Sequence, residues 1–473
     1  MQQNRLRSRR LLSRKWIWFI ALLVSLVGSY LVASRTRWLP AFWRIPAPHP
    51  APEATRDARW RQDLRYLARE LPRLHVNAFH SVSQAEFARA VAELDAAIPT
   101  SDDRQVIVRF VQLAAMLGDA HTRAFPVDDA EFTLSPLQLY WFHDGIHVVN
   151  AMPEYREALY VRVVEVEGIP VQDAVAALTA LVAHENEAGL KQRVTLYLVS
   201  PNLLHTLGLT SAHITGHWLL ERADGSRFAL QAPPIPPADY TAYFGDPANA
   251  ARPAQLPLYR KNQEDNYWFE YLEATRTLYF QFNRCAEMEG LPFKAFNKEM
   301  FVFVDAHPVE RLVVDMRDNS GGNSSLLAPF LARLKVHPLN RRGALFVVVG
   351  RGTFSSAVLN ALELVQETEA IFVGEPTSGS LAHYGEVQSF VLPNSGMRVN
   401  YSTKYFSTSL FGMSHMTVGD VLGACGYTLS LFPVSASPAT TFEPEIHIAP
   451  TGADYAAGRD PVLEYILDIG GTD

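Results

Sequence analysis

Two serines, a pair of glycines and a histidine are the groups in this sequence whose types and settings suit acyl chemistry. Ser355 and Ser356 follow the turn 350–354 (GRGTF), Gly321 and Gly322 lie in 318–325 (DNSGGNSS), and His121 sits in 117–122 (LGDAHT). Ser355 stands where an apolar run ends and a helix-length segment begins. Its hydroxyl then opens at the mouth of a sheet, beside helix N-terminal N–H groups that stabilise developing negative charge. A Gly-Gly turn at the end of a strand exposes backbone N–H groups suited to an anion or an oxyanion. As a phosphate loop it fails, for want of G-K-[ST]. A histidine on a loop held by a rigid helix occupies a common catalytic position. Each group also has an ordinary role: serine caps helices, and the histidine turn reads as a solvated helix end.

The elements that must hold these groups are legible as runs. Residues 344–349 are apolar and β-branched, as in a strand buried on both faces. Residues 356–369 carry Val358, Leu359, Leu362 and Val365 at helical spacing, and 370–374 is a second buried strand. Strand, turn, helix, strand is a βαβ unit with parallel strands. The same grammar precedes it: strands 277–282 and 312–316, a helix over 296–305, then the glycine loop and a helix through Lys335. Two consecutive strand–loop–helix units therefore open at one edge, one offering bare N–H groups and the other a serine, which is the pairing acyl transfer requires. Residues 57–125 show helical periodicity (Leu64, Leu67, Leu71; Phe87, Val91, Leu94; Val106, Phe110, Leu113) and predict a small helical domain. Residues 126–255 are strand-rich, with a hairpin signal at Asp144-Gly145, and predict an α+β middle domain; 256–473 predict an α/β core.

The chain has 473 residues and a net charge of −7, which argues against a nucleic-acid binder. Residues 16–33 (WIWFIALLVSLVGSYLVA) are uncharged and apolar over about 27 Å of helix, and Arg5, Arg7, Arg9, Arg10, Arg14 and Lys15 precede them. This predicts a cytoplasmic tail and transmembrane anchor over 1–34, with the rest of the chain extracytoplasmic (periplasmic) beyond a Pro/Ala-rich linker at 35–56. Cys285 and Cys425 are too few for a disulfide framework; they pair once or remain buried thiols. No metal-ligand spacing occurs among the histidines, and no metal or cofactor is expected.

Four stretches in this order resemble the tail-specific, or C-terminal processing, serine peptidases, which include the tricorn core protease: 117–122 (LGDAHT), 312–322 (LVVDMRDNSGG), 350–376, and 442–464 (FEPEIHIAPTGADYAAGRDPVLE). The resemblance implies a crotonase-like ββα spiral core and hydrolysis of peptide or protein substrates; separately, 161–182 degenerately resembles part of a PDZ module, with an ordinary α+β insert as its alternative. It places the nucleophile at Ser355 and the oxyanion donors at Gly321 or Gly322 and Ser356. One branch of that family uses a lysine twenty-five residues after the serine, where this chain has Ser380; the other uses a histidine, matched by His121. The glutamate that accompanies this histidine has no clear counterpart, and Glu386, Glu443 and Asp119 are its candidates. His383 is the rival base, while Lys404 reads as a surface lysine on a strand. A carrier of lipid or retinoid-like ligands on the same fold is the alternative function.

Overall fold

The computed structural model describes residues 19, 23, 25–29, 33–34, 39–125, 132–210, 214–406 and 441–469. The helical region forms α1 (Arg56–Leu74), α2 (Gln84–Ala97) and α3 (Asp103–Ala115). Ser83 with Glu86, and Asp102 with Gln105, close reciprocal capping boxes at the starts of α2 and α3, which fixes where both helices begin. Their apolar faces meet in one core that includes Leu67, Leu71, Phe87, Val106 and Phe110. A short strand, β1 (Arg123–Phe125), follows the histidine loop.

The middle region is a six-stranded sheet of β2 (Leu137–Phe142), β3 (Gly145–Ala151), β4 (Arg162–Val166), β5 (Ile169–Pro170), β6 (His217–Glu221) and β7 (Arg227–Gln231). Helices α4 (Val171–Leu178), α5 (Glu187–Leu198) and α6 (Pro201–Thr206) pack against it around Trp218, Leu178 and Val194.

The core begins with β8 (Tyr267–Leu272), β9 (Thr277–Phe282), α7 (Phe293–Ala306), β10 (Arg311–Asp315) and α8 (Ala328–Leu334). It continues through β11 (Leu345–Val349), α9 (Ser356–Glu367), β12 (Ile371–Gly374), the hairpin β13 (His383–Val391) and β14 (Arg398–Phe406), β15 (Ile446–His447), α10 (Gly452–Ala457) and α11 (Pro461–Asp468). The sheet order is β15-β12-β11-β10-β9-β8, parallel except for the edge strand β8. Leu345, Val347 and Val349 pack with α7–α9, while Phe346 and Val348 pack with Val462, Leu463 and Ile466 of α11. The expected two-sided burial of 344–349 is therefore met; each such side chain removed from water contributes about 1.5–3 kcal/mol.

One feature departs from the expected division of the chain. The hairpin β13–β14 leaves the parallel sheet and forms a separate sheet in the order β1-β14-β13. Its Phe390, Val399 and Tyr401 belong to the helical core, and Asp63 of α1 accepts the backbone N–H groups of Asn394 and Ser395. A segment expected inside 256–473 thus clasps the region 57–125 and holds the histidine loop against the core.

Among the described residues no helix is long and apolar enough to cross a membrane. The expected anchor at 16–33 falls largely outside the described residues, as do its basic flank, Cys425 and the segment 407–440. Cys285 is buried and unpaired, facing the side-chain oxygens of Asn319 and Asn360; burial pushes its thiol up to about 12.

Candidate active site

Strands β10 and β11 run parallel in register, Leu312 beside Leu345, so their following loops emerge side by side. The loops are bonded to one another: Phe354 N–H donates to the Asn319 carbonyl at 3.0 Å, and the Thr353 hydroxyl donates to the Met316 carbonyl at 2.8 Å.

Ser355 is the first residue beyond this link, with φ +53° and ψ −125°. A non-glycine residue in that region costs about 1–3 kcal/mol and persists only where its surroundings impose it. Gly321 (φ +99°) packs directly against this turn and, having no side chain, permits it. A Cβ on Gly321 would stand 2.8 Å from the Phe354 carbonyl oxygen, 2.9 Å from Ser355 Cβ and 3.0 Å from Ser356 N. Gly379, in the loop after β12, closes over the other side, its absent Cβ 3.2 Å from Ser355 N. Although Ser355 is the N-cap of α9, its side chain makes no capping bond; the hydroxyl is left free of the ordinary role. The Ser356 hydroxyl, by contrast, is engaged with the Gly322 carbonyl at 2.7 Å.

The two glycines are not equivalent. Gly321 N–H already donates to Asn319 Oδ1 at 2.9 Å, so it is not a free oxyanion donor as expected. Asn319 Nδ2 in turn donates to the Phe282 carbonyl, which locks that arrangement. Among the described residues, the N–H groups of Gly322 and Ser356 have no hydrogen-bond partner. A Cβ on Gly322 (φ +134°) would stand 2.3 Å from the Cys285 carbonyl oxygen.

His121 comes from the other side of the cleft. Its ring stacks on Phe354, with centroids 4.4 Å apart, and on His383 at 5.9 Å. Both ring nitrogens are buried without a hydrogen-bond partner. Nδ1 lies 3.7 Å from Asp119 Oδ1, an electrostatic contact beyond hydrogen-bond length, and the His121 backbone N–H donates to the same oxygen at 2.9 Å.

Asp119 is fully buried and its other oxygen is heavily solvated by the protein. Oδ2 accepts from His75 Nε2 at 3.0 Å, from the Thr122 hydroxyl at 2.5 Å and from the Ser402 hydroxyl at 2.6 Å. Asn77 N–H donates to His75 Nδ1, which places the His75 proton on Nε2, facing Asp119. Burial alone would raise the Asp119 pKa, but its contacts with His121 and His75 outweigh that and hold the carboxyl well below its usual range.

The remaining candidates sit elsewhere. His383 Nδ1–H donates to the Ser380 carbonyl at 2.9 Å; burial, then the charge of His121, pushes its pKa down to about 4. Glu386 is exposed on β13, 3.6 Å from Lys404, and Glu443 is exposed after residue 441. Of the acids weighed from sequence, Asp119 is the one in contact with His121.

Glu185 was not anticipated. It precedes α5, where an acidic residue reads as ordinary helix-start chemistry, and no sequence signal marks it. Its carboxylate accepts Ser380 N–H at 3.0 Å and Ala120 N–H at 3.4 Å, joining all three regions of the chain. Desolvation, then the charge of Asp119, pushes it up to about 8. Atoms of Asp119, His121 and Glu185 lie within 4.8 Å of one another, a group that could hold a cation and that sequence spacing did not reveal. The four hydrogen bonds already accepted by Asp119 make it first a polar anchor for the histidine loop.

No known sequence family and no curated protein matches the chain. Solved structures do. Mature CPAF complexed with lactacystin superposes with a TM-score of 0.58 at 15% identity, covering 87% of this chain and 97% of that one. A serine-to-alanine mutant of CPAF gives 0.59 at 13% identity, covering 87% and 96%. A looser likeness, TM-score 0.38 at 13% identity over 87% of this chain and 99% of the other, is to the photosystem II D1 C-terminal processing protease. The chain therefore has the mixed α/β fold of CPAF, over nearly the whole of that protein.

Proposed function

We propose that this protein is a serine peptidase acting on unstructured or C-terminal segments of proteins. The observation that carries the reading is Ser355: it is held at positive φ between a strand and a helix, uncapped, with free N–H groups on one side and an unpartnered buried histidine stacked on its neighbour. In this reading Ser355 Oγ attacks the scissile carbonyl and its proton passes to His121. The N–H groups of Gly322 and Ser356 stabilise the oxyanion, and Asp119 stabilises the imidazolium. The imidazolium then protonates the departing amine, and water, deprotonated by the same histidine, releases the acyl group. The CPAF-like fold supports the reading, and we take the repeated strand–helix units of the core as a crotonase-like spiral and the middle sheet as PDZ-like.

The carrier alternative is less well supported. The large cavity, about 920 Å³ at the carboxyl edge of the parallel sheet, is lined by Arg260, Lys261, Arg317, Asp318, Arg351 and Glu375. These charged groups would be costly to bury against a lipid, although Tyr140, Phe142, Phe244, Tyr259 and Val462 share the lining.

Ser355→Ala should abolish hydrolysis of unstructured peptides, while Ser356→Ala should keep a substantial fraction because its amide remains. Equal loss in both would move the nucleophile or sink the reading.

The apolar run at 16–33 and its basic flank support a single-pass anchor with this domain outside the cytoplasm. Protease added to spheroplasts should then degrade the domain without lysis; protection until lysis would reverse the orientation.

A further inference from the structure

Three side chains from two separate regions of the chain converge beside the histidine loop. One ligand atom each of Asp119, His121 and Glu185 lies within 4.8 Å of the others. His121 is 7% exposed, and both of its ring nitrogens are buried without a hydrogen-bond partner. A buried polar group left unpaired is costly, so this ring calls for a partner that the chain does not supply. Its Nδ1 faces Asp119 Oδ1 at 3.7 Å. That oxygen accepts one bond, from the His121 backbone N–H, whereas Oδ2 accepts three, from His75, Thr122 and Ser402. A carboxylate oxygen offers about two lone-pair sites, so Oδ1 keeps one open. The Glu185 carboxylate is set by the N–H groups of Ala120 and Ser380, and Glu185 is the most exposed of the three residues.

We propose that Asp119, His121 and Glu185 bind a zinc ion, and that the ion switches the peptidase off. One imidazole and two carboxylates are donors that zinc takes, and three protein ligands leave its fourth position to water. Calcium and magnesium prefer oxygen throughout and gain little from the imidazole. Zinc at about 2.0–2.2 Å from each ligand wants the ligands roughly 3.4 Å apart in a tetrahedral arrangement. The 3.7 Å between Asp119 Oδ1 and His121 Nδ1 is close to that span, and a rotamer adjustment of Glu185 closes the rest. The support that orients metal ligands is in place: His75, Thr122 and Ser402 fix Asp119, and Phe354 fixes the plane of the imidazole. Silencing follows from the tautomer. To accept the Ser355 proton on Nε2, a neutral His121 must carry its own proton on Nδ1, towards Asp119. An ion on Nδ1 takes that place and moves the ring proton to Nε2, where it blocks the base. That part rests on the peptidase reading above; the binding of the ion does not.

The test strips the full chain of metal with a chelator and titrates in zinc chloride. Isothermal calorimetry follows binding to Ser355→Ala protein, alone and combined with His121→Gln or Glu185→Gln, while peptide hydrolysis is followed on wild type. The His121→Gln protein should bind one equivalent of zinc fewer. Glu185→Gln should weaken that equivalent at least about tenfold, since losing even a ligand's hydrogen-bonding support does as much. On wild type, zinc should lower kcat about a hundredfold, the scale of a lost general base, with KM little changed. EDTA should restore it, and magnesium at the same concentration should leave it unchanged. Equal zinc binding with and without His121 overturns the site, and equal inhibition by magnesium overturns coordination through the imidazole. Zinc bound there with undiminished hydrolysis overturns the switch. Zinc bound by a wild type that cleaves no peptide overturns the peptidase reading and leaves the ion site standing. Should the substituted proteins misfold, an anomalous difference map at the zinc edge from zinc-soaked wild-type crystals decides. A peak among the three side chains supports the site, and peaks only elsewhere overturn it.

Discussion

The imidazole of His121 lies on the ring of Phe354, centroids 4.4 Å apart and planes 26° from parallel. Phe354 is also the residue whose backbone N–H ties the nucleophile turn to Asn319, so one residue contacts the candidate base through its ring and holds the candidate nucleophile turn through its backbone. A histidine brought from a separate region is thereby seated by contact with the turn it would serve.

His121→Ala should lower turnover at least about a hundredfold, the usual scale for losing a general base, with the fold intact. His383→Ala should have the smaller effect, because its Nδ1 is occupied by the Ser380 carbonyl. Steady-state kinetics with circular dichroism as the folding control checks this. Near-normal turnover in His121→Ala, with loss in His383→Ala, would exchange their roles.

Gly321→Ala should disable the site even though Gly321 donates nothing to substrate. Its Cβ would press on Phe354 and Ser355 from a backbone angle that L side chains rarely adopt. A loss of about 1–3 kcal/mol in urea unfolding is expected from the backbone strain, with a larger proportional loss of turnover because the pressure falls on Ser355. Full activity in this variant would show that the turn is freer than its packing implies.

Glu185 should make stability fall with rising pH. An unfolded chain gives up this proton near the ordinary carboxyl value of about 4.5, whereas the folded protein keeps it to about 8. The contribution is therefore complete below the unfolded pKa and is lost as pH rises through the folded one. His383 acts on the opposite side: pushed down to about 4, it costs stability as pH falls from about 6.5 toward that value. Glu185→Gln should remove the alkaline loss, so that between pH 6 and 8.5 wild type declines by about 1–3 kcal/mol more than the variant. Urea midpoints across that range measure it, and parallel curves would refute the shifted carboxyl.

What the sequence determined by itself was local. The strand–turn–helix around Ser355 could be read because buried strands are continuous apolar runs and helices repeat at 3.6 residues. The glycine loop could be read because its backbone requires residues without a Cβ. The helical region was equally legible from Leu64, Leu67, Leu71 and Phe110. Only the tertiary structure decided which groups meet. Ser402 reaches Asp119 because the β13–β14 hairpin leaves its sheet for the helical core. Glu185 reaches Ala120 and Ser380 because the middle region seats α5 across the cleft. That the N–H of Gly321 is engaged turned on where the side chain of Asn319 points. None of these has a periodicity or a spacing to betray it. Each is a contact between positions far apart in the chain, set by how whole surfaces bury against one another rather than by any residue's own preference.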